Sequence, residues 1–218
     1  KSLTNRELVL SALAAKPSVL ISPLESRDSA LMITALQSLG TGFERSGRDL
    51  QVSPTTLSGP AEIDCGLAGT VMRFLPPVAA LATGEIRFDG DAAARRRPMQ
   101  TTVDSLRALG VEVKLEDFEK RLPFTVIGTG KVIGGELEID ASASSQFVSG
   151  LLLVAAKFKN GLTLKHVGKD LPSLPHIEMT LEVLRQRGVN ARALSETTWR
   201  VEPGAIKGGR VVIEPDLS

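Results

Sequence analysis

Cysteine occurs once in these 218 residues, histidine twice and tyrosine never, and the charges nearly cancel at a formal net +1. The single thiol, Cys65, excludes an intrachain disulfide and a thiolate cage for a metal ion, and it agrees with a reduced compartment. His166 and His176 stand too far from the cysteine and from each other to form a metal motif, so no metal is expected. The balanced charge argues against a general nucleic-acid or membrane surface, where a one-sided basic excess is needed, and so points to a small partner. No run spans a bilayer: the most apolar, residues 151–156, is short and is broken off by Lys157 and Lys159. A signal-peptide pattern is also lacking, and the chain starts at Lys1 without a methionine, already at the edge of a helix; a fragment of a longer protein is expected. What remains is an ordinary globular composition, 42% hydrophobic, in a chain long enough for one large or two small domains.

Apolar residues recur at helical spacing over residues 3–14, and Pro17 ends that run. A short strand at 19–21 and a turn at 25–28 lead to a second helix, with Leu31, Ala35, Leu36 and Leu39 on one face and Gly40 as a left-handed cap. Residues 43–52 read as a hairpin around Gly47. The order then repeats. An alternating run at 61–65, a mostly buried helix from Val71, a strand at 85–88, a helix with Val103, Leu106 and Leu109 inward and Gly110 at its end, and a hairpin of 111–115 with 124–127 make the second pass. The third has a strand at 137–140, an apolar helix at 147–156, a strand at 162–166, a helix with Ile177, Leu181 and Leu184 inward closed by Gly188, and a hairpin of 189–193 with 198–201. The closing glycines recur about 70 to 80 residues apart, longer than solenoid periods, which indicates repeated supersecondary units in one compact domain.

Each unit therefore reads βαβαββ, the first lacking its opening strand, while residues 208–214 resemble an opening strand that goes no further. The first helix of a unit is apolar on most sides and is expected to be buried among the units. Pseudo-threefold packing of this kind puts three helix starts at one end of an α/β domain.

Those starts carry the chemistry. Gly66 and Gly69, in Asp64-Cys65-Gly66-Leu67-Ala68-Gly69-Thr70-Val71-Met72-Arg73, join a strand to a helix, and glycine there lets backbone approach a ligand while the free N–H groups of the first turn point outward. A small-residue turn before a helix is also simply a turn, and the support for an anion site is repetition: Ser142-Ala143-Ser144-Ser145-Gln146 opens the helix of the third unit and Lys1-Ser2-Leu3-Thr4-Asn5-Arg6 that of the first. One helix start is worth about 0.3–1 kcal/mol toward an anion and ~2 when partly buried, so three must act together to hold a metabolite. Around them stand Lys1, Arg6, Arg73 and Arg97 as charges, Ser2, Thr70, Ser144, Ser145 and Ser173 as hydroxyls, and Gln146 as an amide. Hydroxyls and backbone N–H groups suit a phosphate, and the guanidinium fork suits a carboxylate or phosphate, which implies a phosphorylated, carboxylated small molecule.

Other motifs carry less. Gly128-Thr129-Gly130-Lys131 has neither P-loop nor dinucleotide spacing and reads as a turn. Of Arg95, Arg96 and Arg97 only the last is retained, because Pro98 stiffens the backbone beside it before a helix. Cys65 is a possible nucleophile, but its alternation with Ile63 favours a packed core thiol. Asp28, Asp64, Asp91 and Asp216 are possible acids or bases at positions where turn and cap roles are the default.

At these residues the whole chain resembles the 5-enolpyruvylshikimate-3-phosphate synthase family. Lys1-Ser2 with Asn5-Arg6, Ala68-Gly69-Thr70 with Met72-Arg73, Asp89-Gly90-Asp91 with Arg97-Pro98, residues 142–147, and Ser173 with Pro175 fall in family order. The resemblance implies one of two globular halves of a shikimate-pathway transferase of chorismate and aromatic amino acid biosynthesis. Its three βαβαββ units would be residues 1–58, 59–133 and 134–206, an inside-out barrel with helices buried and sheets outside, and 207–218 would cross toward the second domain. Shikimate 3-phosphate is then expected at Lys1, Ser2, Arg6, Ser144, Ser145, Gln146 and Ser173, and phosphoenolpyruvate at Lys1, Gly69, Arg97 and Gln146, with Thr70 and Arg73 in support. The principal acid and base residues would lie in the other domain, so this chain is expected to bind and not turn over.

The resemblance further implies no cofactor and no metal, a cytoplasmic location, a monomer without nucleic-acid or membrane partners, and glyphosate sensitivity of the parent enzyme from the small Gly69. Leu67, Phe74 and His176 depart from the asparagine, proline and tyrosine common at those positions. The related cell-wall enolpyruvyl transferase acts on UDP-N-acetylglucosamine and lacks the Ser144-Ser145-Gln146 pattern. A non-catalytic ligand-binding domain also fits the chain as it stands, and whether the gene continues past Ser218 separates the two. Repeat-sharing RNA phosphate cyclases are disfavoured by the balanced charge.

Overall fold

The computed structural model describes residues 2–116 and 118–214. α1 (Ser2–Leu13) is followed by β1 (Ser18–Ile21), α2 (Arg27–Ser38) and the hairpin β2 (Gly42–Ser46) with β3 (Asp49–Ser53). Then come β4 (Ala61–Asp64), α3 (Gly69–Leu81), β5 (Thr83–Asp89), α4 (Gln100–Ala108), β6 (Glu112–Leu115) and β7 (Phe124–Thr129). The third stretch gives β8 (Gly135–Ile139), α5 (Gln146–Val154), β9 (Leu162–His166), α6 (Leu174–Gln186), β10 (Ala191–Ser195) and β11 (Thr198–Val201), and β12 (Gly209–Val212) comes last. The glycines after α2, α4 and α6 are left-handed caps, with φ of +111° at Gly40, +84° at Gly110 and +78° at Gly188.

Three four-stranded sheets share one plan: β12-β1-β3-β2, β4-β5-β7-β6 and β8-β9-β11-β10. In each the first pair is parallel and the rest antiparallel, with Ser18 opposite Gly209, Ala61 opposite Ile86 and Gly135 opposite Leu162. This corrects one expectation. The first unit does not lack its opening strand; Gly209–Val212, from the far end of the chain, takes the place that β4 and β8 hold in their sheets. Local alternation announces a strand but not its partner.

The helices fall into two kinds. α2, α4 and α6 bury one face, whereas α1, α3 and α5 bury residues 4–13, 70–80 and 147–154 without a break and pack on one another. α5 comes close to α3 at Gly150, where a Cβ would lie 2.2 Å from the Arg73 carbonyl oxygen. That carbonyl is bare because its helical donor four residues on would be Pro77, which has no N–H. A proline on one helix and a glycine on the other thus bring the backbones of α3 and α5 together.

One buried ion pair ties the chain's two ends. The Arg187 guanidinium, 2% exposed, donates twice to Glu7 Oε2 (3.0 and 2.7 Å), to the hydroxyls of Ser11 (2.8 Å) and Ser18 (2.9 Å), and to the Lys207 carbonyl (2.9 Å). α1, β1, the end of α6 and the approach to β12 meet there.

Candidate functional site

Four helix starts are stitched to one end of the molecule. Asn5 donates to the Thr70 hydroxyl at 2.6 Å, which joins α1 to the first turn of α3. Arg6, fully buried, reaches Thr180 Oγ1 (2.7 Å) and the His176 carbonyl (3.0 Å) on α6, Ser149 Oγ (3.1 Å) on α5, and the Ser2 carbonyl (3.1 Å) and hydroxyl on its own helix. Each partner lies within the first two turns of its helix. Burial lowers the Arg6 pKa to about 10, so it stays charged at neutral pH, and its guanidinium lies 5.2 Å from the centre of the Phe74 ring.

α3 begins on a tight turn at Gly66 (φ +52°), where Asp64 accepts the Gly66 N–H at 2.8 Å and the Cys65 carbonyl accepts that of Ala68 at 2.9 Å. Ala68 offers its helix no side-chain cap. The loop after β5 is sewn to this turn by Cys65 N–H to Asp89 O (2.8 Å) and Asp91 N–H to Gly66 O (2.9 Å). A 3-10 turn at Ala94–Arg96 then delivers Arg97, whose Nη1 donates to the Leu67 carbonyl at 3.1 Å. Arg95 is spent on a bidentate pair with Asp89 (2.9 and 2.7 Å).

Gly69 is the meeting point. A Cβ there would lie 2.8 Å from Gln146 Oε1, 3.0 Å from Arg73 Nη1 and 3.0 Å from Arg97 Nη2. Arg73, 3% exposed, donates to Gln146 Oε1 at 2.9 Å, and its guanidinium stands 5.3 Å from the Phe147 ring centre. Its pKa falls to about 10, mainly through burial and then through the charge of Arg97. Two guanidiniums, one amide and the N–H groups of α3 thus surround a position without a side chain.

At the start of α5 the Ser144 hydroxyl accepts the Gln146 N–H at 3.2 Å. The Ser145 hydroxyl has no partner among the described residues, although the residue is 4% exposed. Ser173 is exposed, left-handed (φ +57°), and places no side-chain cap on α6.

The structure therefore brings Gly69, Thr70, Arg73, Arg97 and Gln146 together, and ties the helix starts bearing Ser2, Ser144, Ser145 and Ser173 to the same end through Arg6. Lys1 and Asp216 lie outside the described residues. Arg6 has all five N–H groups engaged within the chain, which makes it the brace of this end. Ser149 and Thr180 were not singled out by sequence, and Asn5 only as part of the motif Lys1-Ser2 with Asn5-Arg6; the available signal was polar residues inside otherwise apolar helical faces. Of the departures, Phe74 is fully buried beneath Arg6, Leu67 is 44% exposed beside Arg97, and His176 serves Arg6 through its backbone carbonyl. Cys65 is a core thiol, its pKa pushed up to about 12 by burial and then by Asp64 and Asp89. Asp64 serves the turn, and Asp91 pairs with Arg27 at 3.0 Å. Among the described residues no helix is long and apolar enough to cross a membrane.

The family model for EPSP synthase (3-phosphoshikimate 1-carboxyvinyltransferase) matches residues 1–218. The chain belongs to the EPSP synthase family. It is 56% identical over 229 residues to the 3-phosphoshikimate 1-carboxyvinyltransferase of Kocuria rhizophila and 52% identical over 223 residues to that of Mycobacterium ulcerans, in both cases with 100% of this chain and 51% of the relative covered. The chain spans about half the length of the curated relatives it matches. EPSP synthase from Acinetobacter baumannii superposes with a TM-score of 0.83 at 21% identity over 98% of this chain and 48% of its own. The enolpyruvyl transferase NikO from Streptomyces tendae gives 0.69 at 17% identity, over 99% and 50%. These structures establish the fold, an inside-out barrel domain of the enolpyruvyl transferase kind.

Proposed function

We propose that the chain is the shikimate 3-phosphate-binding half of an EPSP synthase. The observation that carries the reading is the convergence at Gly69: two guanidiniums, the Gln146 amide and an uncapped helix start around a position with no side chain. Such a cradle suits the carboxylate and phosphate of phosphoenolpyruvate, held by Gly69, Arg97, Gln146 and Lys1. The hydroxyls of Ser144, Ser145 and Ser173 take the phosphate of shikimate 3-phosphate, Gln146 lies against its ring, and Lys1 and Ser2 complete its site. Arg6 holds Ser2 and the start of α6 in place, Thr70 is fixed by Asn5, and Arg73 supports Gln146.

In the family reaction C3 of phosphoenolpyruvate takes up a proton while the 5-hydroxyl of shikimate 3-phosphate adds to C2 and loses its own, and the tetrahedral intermediate then gives up phosphate and a C3 proton to leave the enolpyruvyl ether. Fixed positive charge at Arg97 stabilises the anionic groups without reorganising. Principal acid and base residues come from a second half, and the three units of this half are residues 1–206 together with β12, which completes the first sheet. The complete protein is a cytoplasmic monomer that needs no metal or cofactor, and Gly69 leaves it sensitive to glyphosate.

The test is to mix or fuse this chain with the second half of a relative and follow phosphate release from the two substrates. Release with both halves, abolished by Arg97→Ala, is expected; a folded, two-half protein without release would overturn the reading.

A further inference from the structure

Gln146 carries an acceptor and two donors on one amide, and an anion can use only the donors. Its Oε1 is taken by Arg73 Nη1 at 2.9 Å, while its amide nitrogen has no partner among the described residues and the side chain is half-buried. Arg73 is itself held from several sides. It sits one turn into α3, its Nη2 lies 3.4 Å from the Pro98 carbonyl at the entry to α4, its guanidinium faces Phe147, and its carbonyl meets Gly150. Its Nε is buried without a partner, so this geometry is kept at the expense of one hydrogen bond.

We propose that Arg73 is a positioning residue which locks the Gln146 carbonyl inward and so converts an ambivalent amide into a pure donor toward the anionic ligand. The inference rests on the proposed function for the ligand's identity but not for the lock itself. A flipped amide would set its NH2 against the Arg73 guanidinium and turn its oxygen toward the anion. Both contacts are repulsive, so the lock and the selectivity for negative charge have one origin.

The lock is read first without ligand, from the side-chain amide signals of Gln146 in the whole chain. Wild type is expected to show one resolved NH2 pair, and Arg73→Met a pair moved to the position of a freely rotating glutamine. An unmoved pair would overturn the lock. Shikimate 3-phosphate affinity then separates positioning from direct contact. Arg73→Met should weaken binding about tenfold in wild type, the worth of one charge-assisted hydrogen bond, and less than about twofold in a Gln146→Ala background. An equal loss in both backgrounds would mean that Arg73 touches the ligand itself and would refute positioning. If Arg73→Met fails to fold, Gln146→Glu serves, since it keeps Arg73 paired while presenting a carboxylate. It should fold and bind more weakly than Gln146→Ala, and equal or tighter binding refutes the proposal. Absence of binding by wild type would count against the proposed function, while the ligand-free amide signals still decide the lock.

Discussion

Replacing Gly150 by alanine tests whether helix packing and site geometry are one structure. The new Cβ would meet the Arg73 carbonyl oxygen at 2.2 Å, its carbon at 3.0 Å and the Phe74 Cα at 3.4 Å, all backbone atoms that no rotamer change can move. Relief to an ordinary contact requires α5 to retreat from α3 by about 1 Å, within a core packed too densely to absorb it. Overpacking of this kind costs about 1–3 kcal/mol, and the backbone clash puts Gly150→Ala at the upper end; helix propensity returns ~1 kcal/mol. A net loss of about 2 kcal/mol should lower the urea midpoint by ~1 M. The same retreat would stretch the bond from Arg73 to Gln146, now 2.9 Å, to about 4 Å, beyond hydrogen-bond range. Urea melts and the Gln146 side-chain amide signals should therefore change together. An unchanged midpoint, or a lost midpoint with an undisturbed Gln146 amide, would refute the coupling.

Gly69→Ala places a methyl among the flexible ends of Gln146, Arg73 and Arg97, so the melt should hold while affinity for phosphoenolpyruvate in the completed enzyme falls about tenfold or more; unchanged affinity would remove Gly69 from the site. Arg187→Met strands Glu7 in the core and should cost about 3–5 kcal/mol near neutral pH, with partial recovery in the double variant with Glu7→Gln, both measured by urea unfolding. Burial already raises the Glu7 pKa, so the single variant's deficit should shrink as pH falls and Glu7 takes up a proton. The Cys65 thiol, raised from 9.0 to about 12, ionises in the unfolded chain before it does in the native one. Native stability should thus decline as pH rises from 9 toward 12, Cys65→Ala should flatten that decline, and disulfide reagents should fail to label the native thiol at pH 8.

The repeat was legible because its markers are local. Glycines 40, 110 and 188 each end an amphipathic helix in a conformation that side chains rarely adopt, and the run 147–154 is too apolar for any place but a core. Gly69, Thr70, Gln146 and Arg97 were legible for a similar reason, each standing beside a helix start or a proline. What escaped was long-range. The pairing of β12 with β1, the buried pair of Glu7 with Arg187 and the brace formed by Arg6 each join residues far apart in sequence, and no local period encodes a partner. Arg6 shows the consequence. Its place as a charge at a helix start announced a functional group, but only the fold shows that Ser149, Thr180 and the His176 carbonyl occupy its donors.

The central claim is that these helix starts form a preformed half-site for shikimate 3-phosphate. The most direct test is an NMR titration of the chain with that ligand, following the backbone amides of Gly69, Ser144, Ser145 and Ser173. Saturable shifts concentrated at the three serines, with Gly69 responding further when phosphoenolpyruvate is added, are the predicted result. A folded sample whose serine amides stay still at millimolar ligand, both alone and with the second half present, would contradict the account.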